Sequence, residues 1–224
     1  MNDAFMEIRK LDLGYDKIKP LITNLNFALD KGESLCIHGP SGCGKSTVIW
    51  AIMGMLDKIG GYVQGEIRYK GKDLLKEHEL MNQLRWSTIA LVPQSSMSAF
   101  NPVYKMKKTY MELLNLKAPE LTTDQKNDLI MRMLEIVQLN KNILTQYPHQ
   151  LSGGMRQRAA IALALILNPE LLILDEATTG LDVLVEADIL WTLKKIRKER
   201  EMSLLVVSHD TRIAKAFCDR RVEL

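Results

Sequence analysis

Cysteine is scarce in this chain, with three residues, Cys36, Cys43 and Cys218, scattered through 224. An odd and sparse count without metal-ligand spacing argues against a disulfide framework and for a reducing compartment. Charge of one sign is also lacking. Thirty Lys and Arg face 27 Asp and Glu, a formal excess of +3, too slight for a face that binds nucleic acid or anionic lipid. The densest charged run, Lys194 to Glu201, mixes signs at the end of a helical pattern and reads as a solvated helix end. No long hydrophobic run exists either. The most apolar stretch, Ala159 to Leu174, is interrupted by Asn168, Pro169 and Glu170, so nothing here spans a bilayer unaided. The opening residues, Met1 to Tyr15, lack the basic start and apolar run of a secretory leader. No repeat at solenoid or propeller periods is visible.

What is present suits a folded α/β chain: 46% hydrophobic and 25% charged residues, enough to bury a core. Four short apolar runs each end in a polar cluster. They are Leu35–Ile37 before HGPSG, Ile89–Val92 before PQSS, Leu171–Leu174 before DEATTG, and Leu204–Val207 before SHD. Runs without alternation predict strands buried on both faces, hence a mainly parallel sheet. Ligands of such sheets lie beyond the carboxyl ends of the strands, where all four clusters fall. Phe5 to Phe27 alternates with two turn-like breaks and predicts an antiparallel β lobe. Between residues 101 and 150, Tyr110–Leu116 and Leu129–Leu139 read as helices around the turn-rich APELTTDQ. Thr123 is the expected cap of the second, with Lys126 and Asp128 on its exposed face. The chain is therefore expected to be one domain, with a core of residues 1–94 and 168–224 and a helical subdomain over about 95–167.

Gly39-Pro40-Ser41-Gly42-Cys43-Gly44-Lys45-Ser46-Thr47 matches the phosphate-binding P-loop in full. Its glycines let successive backbone N–H groups converge on phosphate oxygens. Lys45 supplies a cation for the β- and γ-phosphates, and Ser46 a hydroxyl for Mg²⁺. The helical pattern from Thr47 to Leu56 turns its positive end towards the anion. Cys43 sits where cations and a helix start would lower a thiol pKa, although any small residue fits there. In such a site Asp175, closing an apolar strand, would hold Mg²⁺, and Glu176 would deprotonate the attacking water. Leu151 to Arg158, LSGGMRQR, opens the apolar helix Ala159–Leu167 with Ser152 as N-cap and two glycines exposing N–H groups.

LSGGMRQR, lying between the P-loop and the acidic strand, resembles the signature of ATP-binding cassette (ABC) ATPases, and the resemblance covers nearly the whole chain. It implies a P-loop NTPase core with a mainly parallel sheet, an N-terminal antiparallel β lobe and an inserted helical subdomain. By the same resemblance Tyr15 matches the aromatic that stacks on adenine and Gln94 the Q-loop glutamine, a contact for Mg²⁺ or water. Gly180-Leu181-Asp182 matches the D-loop and His209 the switch histidine. Two cassettes then pair head to tail, so that Ser152, Gly153, Gly154 and Asp182 act on the partner's ATP. Val92 to Pro102 and Thr178 to Val183 are similar to peptide, opine and nickel importer ATPases. Ala177 replaces that group's proline, and the segment from Tyr104 lacks its glycine–glutamate pair. A further strand and helices are expected beyond Leu224, and no cysteine-rich tail is visible. The resemblance implies an ATP-hydrolysing importer subunit on the cytoplasmic face of the membrane. Its implied partners are a second cassette, two permease subunits and, indirectly, a solute-binding protein. The alternative is a soluble cassette of the cluster-assembly type.

Overall fold

The computed structural model describes residues 4–95 and 99–224. Ser96, Met97 and Ser98, within the importer-like Q-loop stretch, and the first three residues of the expected leaderless start lie outside the described residues. The chain divides into two compact units, Met1–Arg85 with Arg197–Leu224, and Trp86–Ile196.

In the first unit, β1 (Met6–Gly14) pairs antiparallel with β2 (Ile22–Leu29) on one side and β4 (Tyr62–Tyr69) on the other. A two-residue strand, β5 (Lys72–Asp73), pairs antiparallel with β4 at the edge of this sheet, and a short helix, α2 (His78–Leu84), follows. This is the expected antiparallel lobe. Met6, Ile8, Leu11 and Leu13 turn inward from β1, and the register shifts between Arg9 and Asp12. That shift needs a glycine opposite, because a Cβ on Gly65, at φ +112°, would lie 2.4 Å from the Lys10 carbonyl oxygen. The same unit holds a parallel ladder in which β3 (Ser34–His38) runs between β8 (Ser203–Ser208) and β9 (Arg220–Glu223). Leu35, Cys36 and Ile37 are wholly buried, as an uninterrupted apolar run requires. Strand β9 was not expected from the sequence. It is polar and mostly exposed, so no apolar run announces it.

In the second unit β6 (Ile89–Val92) and β7 (Leu171–Asp175) pair parallel, Ile89 with Leu171 through Val92 with Leu174. Around them lie α3 (Met106–Lys117), α4 (Thr123–Ile136) and α5 (Gly153–Leu165), and α6 (Val183–Arg200) starts in this unit. Two expectations for α4 are corrected. Its cap is Thr122, whose hydroxyl accepts from the Gln125 N–H while the Gln125 side chain accepts from the Thr122 N–H, a reciprocal box. Lys126 is not exposed. It retains 6% exposure and donates to Asn115 Oδ1 at 2.9 Å, because it shares the inward stripe of Ile130, Met133, Leu134 and Val137. The wholly buried Tyr110 donates its hydroxyl to the Ala159 carbonyl at 2.8 Å, tying α3 to α5. Tyr110→Phe should cost about 1 kcal/mol of stability, the net worth of one such bond, measured as a lower urea midpoint with unchanged slope.

Candidate functional site

At the end of β3 the chain curls through Gly39–Gly44 into α1 (Lys45–Ile52). Gly44 takes φ 104° at the helix start, and a Cβ there would meet Leu21 and Ile22 side-chain carbons at 3.0 Å. Only glycine allows this turn. Helix α1 has neither a side-chain cap nor an acid in its first turn, which keeps that end electropositive. Lys45 is buried and donates Nζ to the Gly39 and Pro40 carbonyls, each at 2.9 Å. The ammonium is thereby folded over the mouth of the loop. Leu21, packed at Gly44, also bonds the Leu13 carbonyl. The β1–β2 connection carrying Tyr15, 56% exposed, therefore lies at the same end as the P-loop.

His209 follows β8 directly and is exposed. His38 pairs with Ser208 in register, so His209 and the P-loop leave adjacent strands at one end. Asp210, after it, caps α7 (Thr211–Phe217), accepting from the Arg212 N–H at 2.7 Å. Hydrogen bonds from the Arg212 side chain and backbone hold the Asp210 carboxyl below its usual range.

The second unit collects the remaining residues in two groups. Gln94 and Glu176 follow the paired ends of β6 and β7, and Gln94 Nε2 donates to Glu176 Oε2 at 3.0 Å. Asp175, the last residue of β7, is buried at 6% exposure. Glu176 adopts φ 45°, a left-handed conformation that costs a non-glycine residue energy and clusters at functional sites. In the other group Ser152 caps α5, accepting from the Met155 N–H at 3.3 Å. Asp182 caps α6 by accepting from Val185 N at 3.0 Å. A Cβ on Gly154 would lie 3.0 Å from Val185 Cγ1, so the start of α5 packs against the first turn of α6. Among the described residues nothing lies within 4 Å of a Cβ position on Gly153.

Several contacts at these elements had no signal in the sequence. Arg158, in the signature stretch, donates to the Val137 carbonyl at 3.0 Å and to Asp188, joining α4, α5 and α6. Cys36 and Cys218, far apart in the chain, are neighbours. Cys218 donates to Cys36, holding the Cys36 thiol below its usual range, while the same contact and burial push Cys218 up. Cys43, in the P-loop, is partly buried.

A strand–loop–helix with a buried lysine over the loop, and a glycine-rich helix start capped by serine, define a P-loop nucleotide-binding protein of the cassette type. The ABC transporter family model matches residues 22–179, and the chain belongs to that family. It is 40% identical over 204 residues to the oligopeptide transport ATP-binding protein OppD of Bacillus subtilis, covering 89% of this chain and 56% of that protein. It is 36% identical over 225 residues to OppD of Escherichia coli, covering 97% and 66%. The chain thus spans little more than half to two thirds of these relatives. Among solved structures it resembles the dimeric post-hydrolysis state of the cassette MJ0796 bound to ADP and Pi, with a TM-score of 0.85 and 25% identity over 98% of this chain and 94% of that one.

Asp210→Ala should destabilise the start of α7 by about 1 kcal/mol at neutral pH. Because the folded carboxyl titrates below the ordinary 3.8, its contribution is complete above that pH and fades as pH falls through the lowered folded value. Hydrogen exchange at the Arg212 amide should separate wild type from variant at pH 7, with the gap closing on acidification.

Proposed function

We propose that the chain is an ATP-hydrolysing subunit that energises import of peptides through partner permeases. The observation that carries this reading is Lys45, buried and folded over the P-loop carbonyls at the start of a helix whose first turn carries no acidic residue. In this reading Gly39 to Thr47 cradle the phosphates of ATP, Lys45 moves from carbonyl to phosphate oxygens, and Tyr15 stacks on adenine. The exposed Tyr15 ring, on a connection beside the loop, suits that role. The Ser46 hydroxyl, the Asp175 carboxylate and Gln94 would hold Mg²⁺. Hard oxygen donors of this kind suit that ion, which offsets phosphate charge and keeps much of its water. Glu176 takes the proton of the attacking water, and His209 contacts the γ-phosphate. The bond from Gln94 fixes one carboxylate oxygen of Glu176 and so orients the group that accepts that proton.

Ser152, Gly153, Gly154 and Asp182 act on the ATP of a paired cassette, identical or paralogous. Support comes from the open space at Gly153 and from the dimeric, nucleotide-bound neighbour. Peptide is favoured over nickel because both OppD relatives carry oligopeptide in their names. No described helix is long and apolar enough to cross a membrane; in this reading the chain sits at the cytoplasmic face on the permeases, themselves served by a solute-binding protein. The importer relatives weigh against the soluble cluster-assembly alternative.

Phosphate release from ATP tests this reading. Glu176→Gln should bind ATP within a fewfold of wild type yet turn over at least about 10²-fold more slowly, the scale of a lost general base. Turnover within threefold of wild type would remove Glu176 from that role. Hydrolysis per chain should also rise with protein concentration until dimers saturate. The signature glycines missing from a monomer are donors worth about 3–4 kcal/mol in the transition state. Specific activity that stays flat down to monomeric protein overturns the paired site.

A further inference from the structure

His38 is the last residue of β3 and immediately precedes the P-loop. It makes a contact that no part of the nucleotide reading uses. Its ring Nδ1 lies 3.0 Å from the Ser208 carbonyl oxygen. A carbonyl only accepts, so Nδ1 carries the hydrogen and the neutral ring is the Nδ1–H tautomer. The two residues are opposed in the parallel register, so this side-chain bond is added beside the last rung of the ladder. Strand β9 holds His38 from the other side, where its own carbonyl accepts from Leu224 N at 2.9 Å.

The carbonyl that His38 grips belongs to the peptide joining Ser208 to His209. Rotating that peptide swings the His209 backbone, and hence its side chain. The Ser208 hydroxyl adds a second constraint by accepting from the Asp210 N–H at 3.0 Å, which leads into the α7 cap. The switch histidine is therefore mounted between two bonds, and one comes from the residue adjoining Gly39. We propose that His38 is a positioning residue. By fixing the Ser208–His209 peptide against the end of β3, it sets the His209 ring relative to the loop that holds the phosphates. This rests on the ATP-hydrolysing reading given above and adds to it a residue outside the P-loop and signature motifs.

The test is steady-state hydrolysis by the protein in the assembly it forms in the cell, for wild type, His38→Ala, His38→Asn and His209→Ala. His38→Ala should lower kcat by about tenfold, the loss of one interaction realised in the transition state. KM for ATP and nucleotide Kd should stay within about twofold, since P-loop contacts to phosphate are untouched. His38→Asn should return kcat to within about threefold of wild type, because an asparagine amide can present an N–H to the same carbonyl. In the His209→Ala background, His38→Ala should cost less than about twofold, as expected when one residue acts through the other. Unchanged kcat in His38→Ala, no rescue by asparagine, or a full additive loss without His209 would each overturn the proposal. So would a joint fall of kcat and nucleotide affinity, which would make His38 a mere prop of the P-loop. An inactive wild type would instead sink the functional reading itself. Independently of turnover, ring nitrogen NMR shifts should report the Nδ1–H tautomer for His38, and the Nε2–H form would remove the bond on which the inference stands.

Discussion

The structure depends on one constraint, that a strand buried on both faces can place polar chemistry only at its ends. Leu35, Cys36 and Ile37 are sealed between neighbouring strands and helices, so β3 reaches its first usable backbone donors after His38. There the chain must reverse direction without burying unpaired N–H groups. The glycine-rich turn into α1 meets that need by leaving the loop and the first helical turn without side-chain caps. In the ATP-hydrolysing reading proposed above, a phosphate-sized anion supplies acceptors there. Lys45 donates to the Gly39 and Pro40 carbonyls. Its buried charge is thus paired with dipoles rather than stranded.

The same constraint acts on β6 and β7 in the second unit, and there it gathers carboxylates in place of N–H donors. Asp175 lies within the last buried position of β7, and Glu176 emerges one residue later in a left-handed conformation. Successive residues of a strand point to opposite faces. Two adjacent carboxylates could not serve one side of a site unless the chain left the extended form between them. The positive φ of Glu176 makes that departure, and the Gln94 amide holds the result. Strain at this position is offset by a bond from a neighbouring strand end.

Much of this was legible in the sequence because it is local. A P-loop, an apolar strand before acids and a serine-capped glycine pair are each encoded within about ten residues, and double burial reads as an unbroken apolar run. The misreadings came where a single position of phase decides the outcome. Thr122 and Thr123 are both capable caps, and only the reciprocal bond with Gln125 separates them. Lys126 has the residue type of a solvated surface charge. Its spacing to Ile130 and Met133 places it inward, where Asn115 satisfies the ammonium.

Cross-strand register lay beyond sequence reading altogether. Cys36 meets Cys218 because β9 returns beside β3, and β9 is too short and polar to announce itself. His38 likewise carries no mark in the sequence beyond standing before a glycine-rich loop. Its ring acquires meaning only when β8 is aligned so that Ser208 stands opposite, which brings the P-loop and His209 to one level. A parallel pair separated by most of the chain has no turn to fix its register. Side-chain bonds at its ends, such as the one from His38, are therefore well placed to set it, and in this unit the end so fixed is the one where the P-loop and His209 leave the sheet.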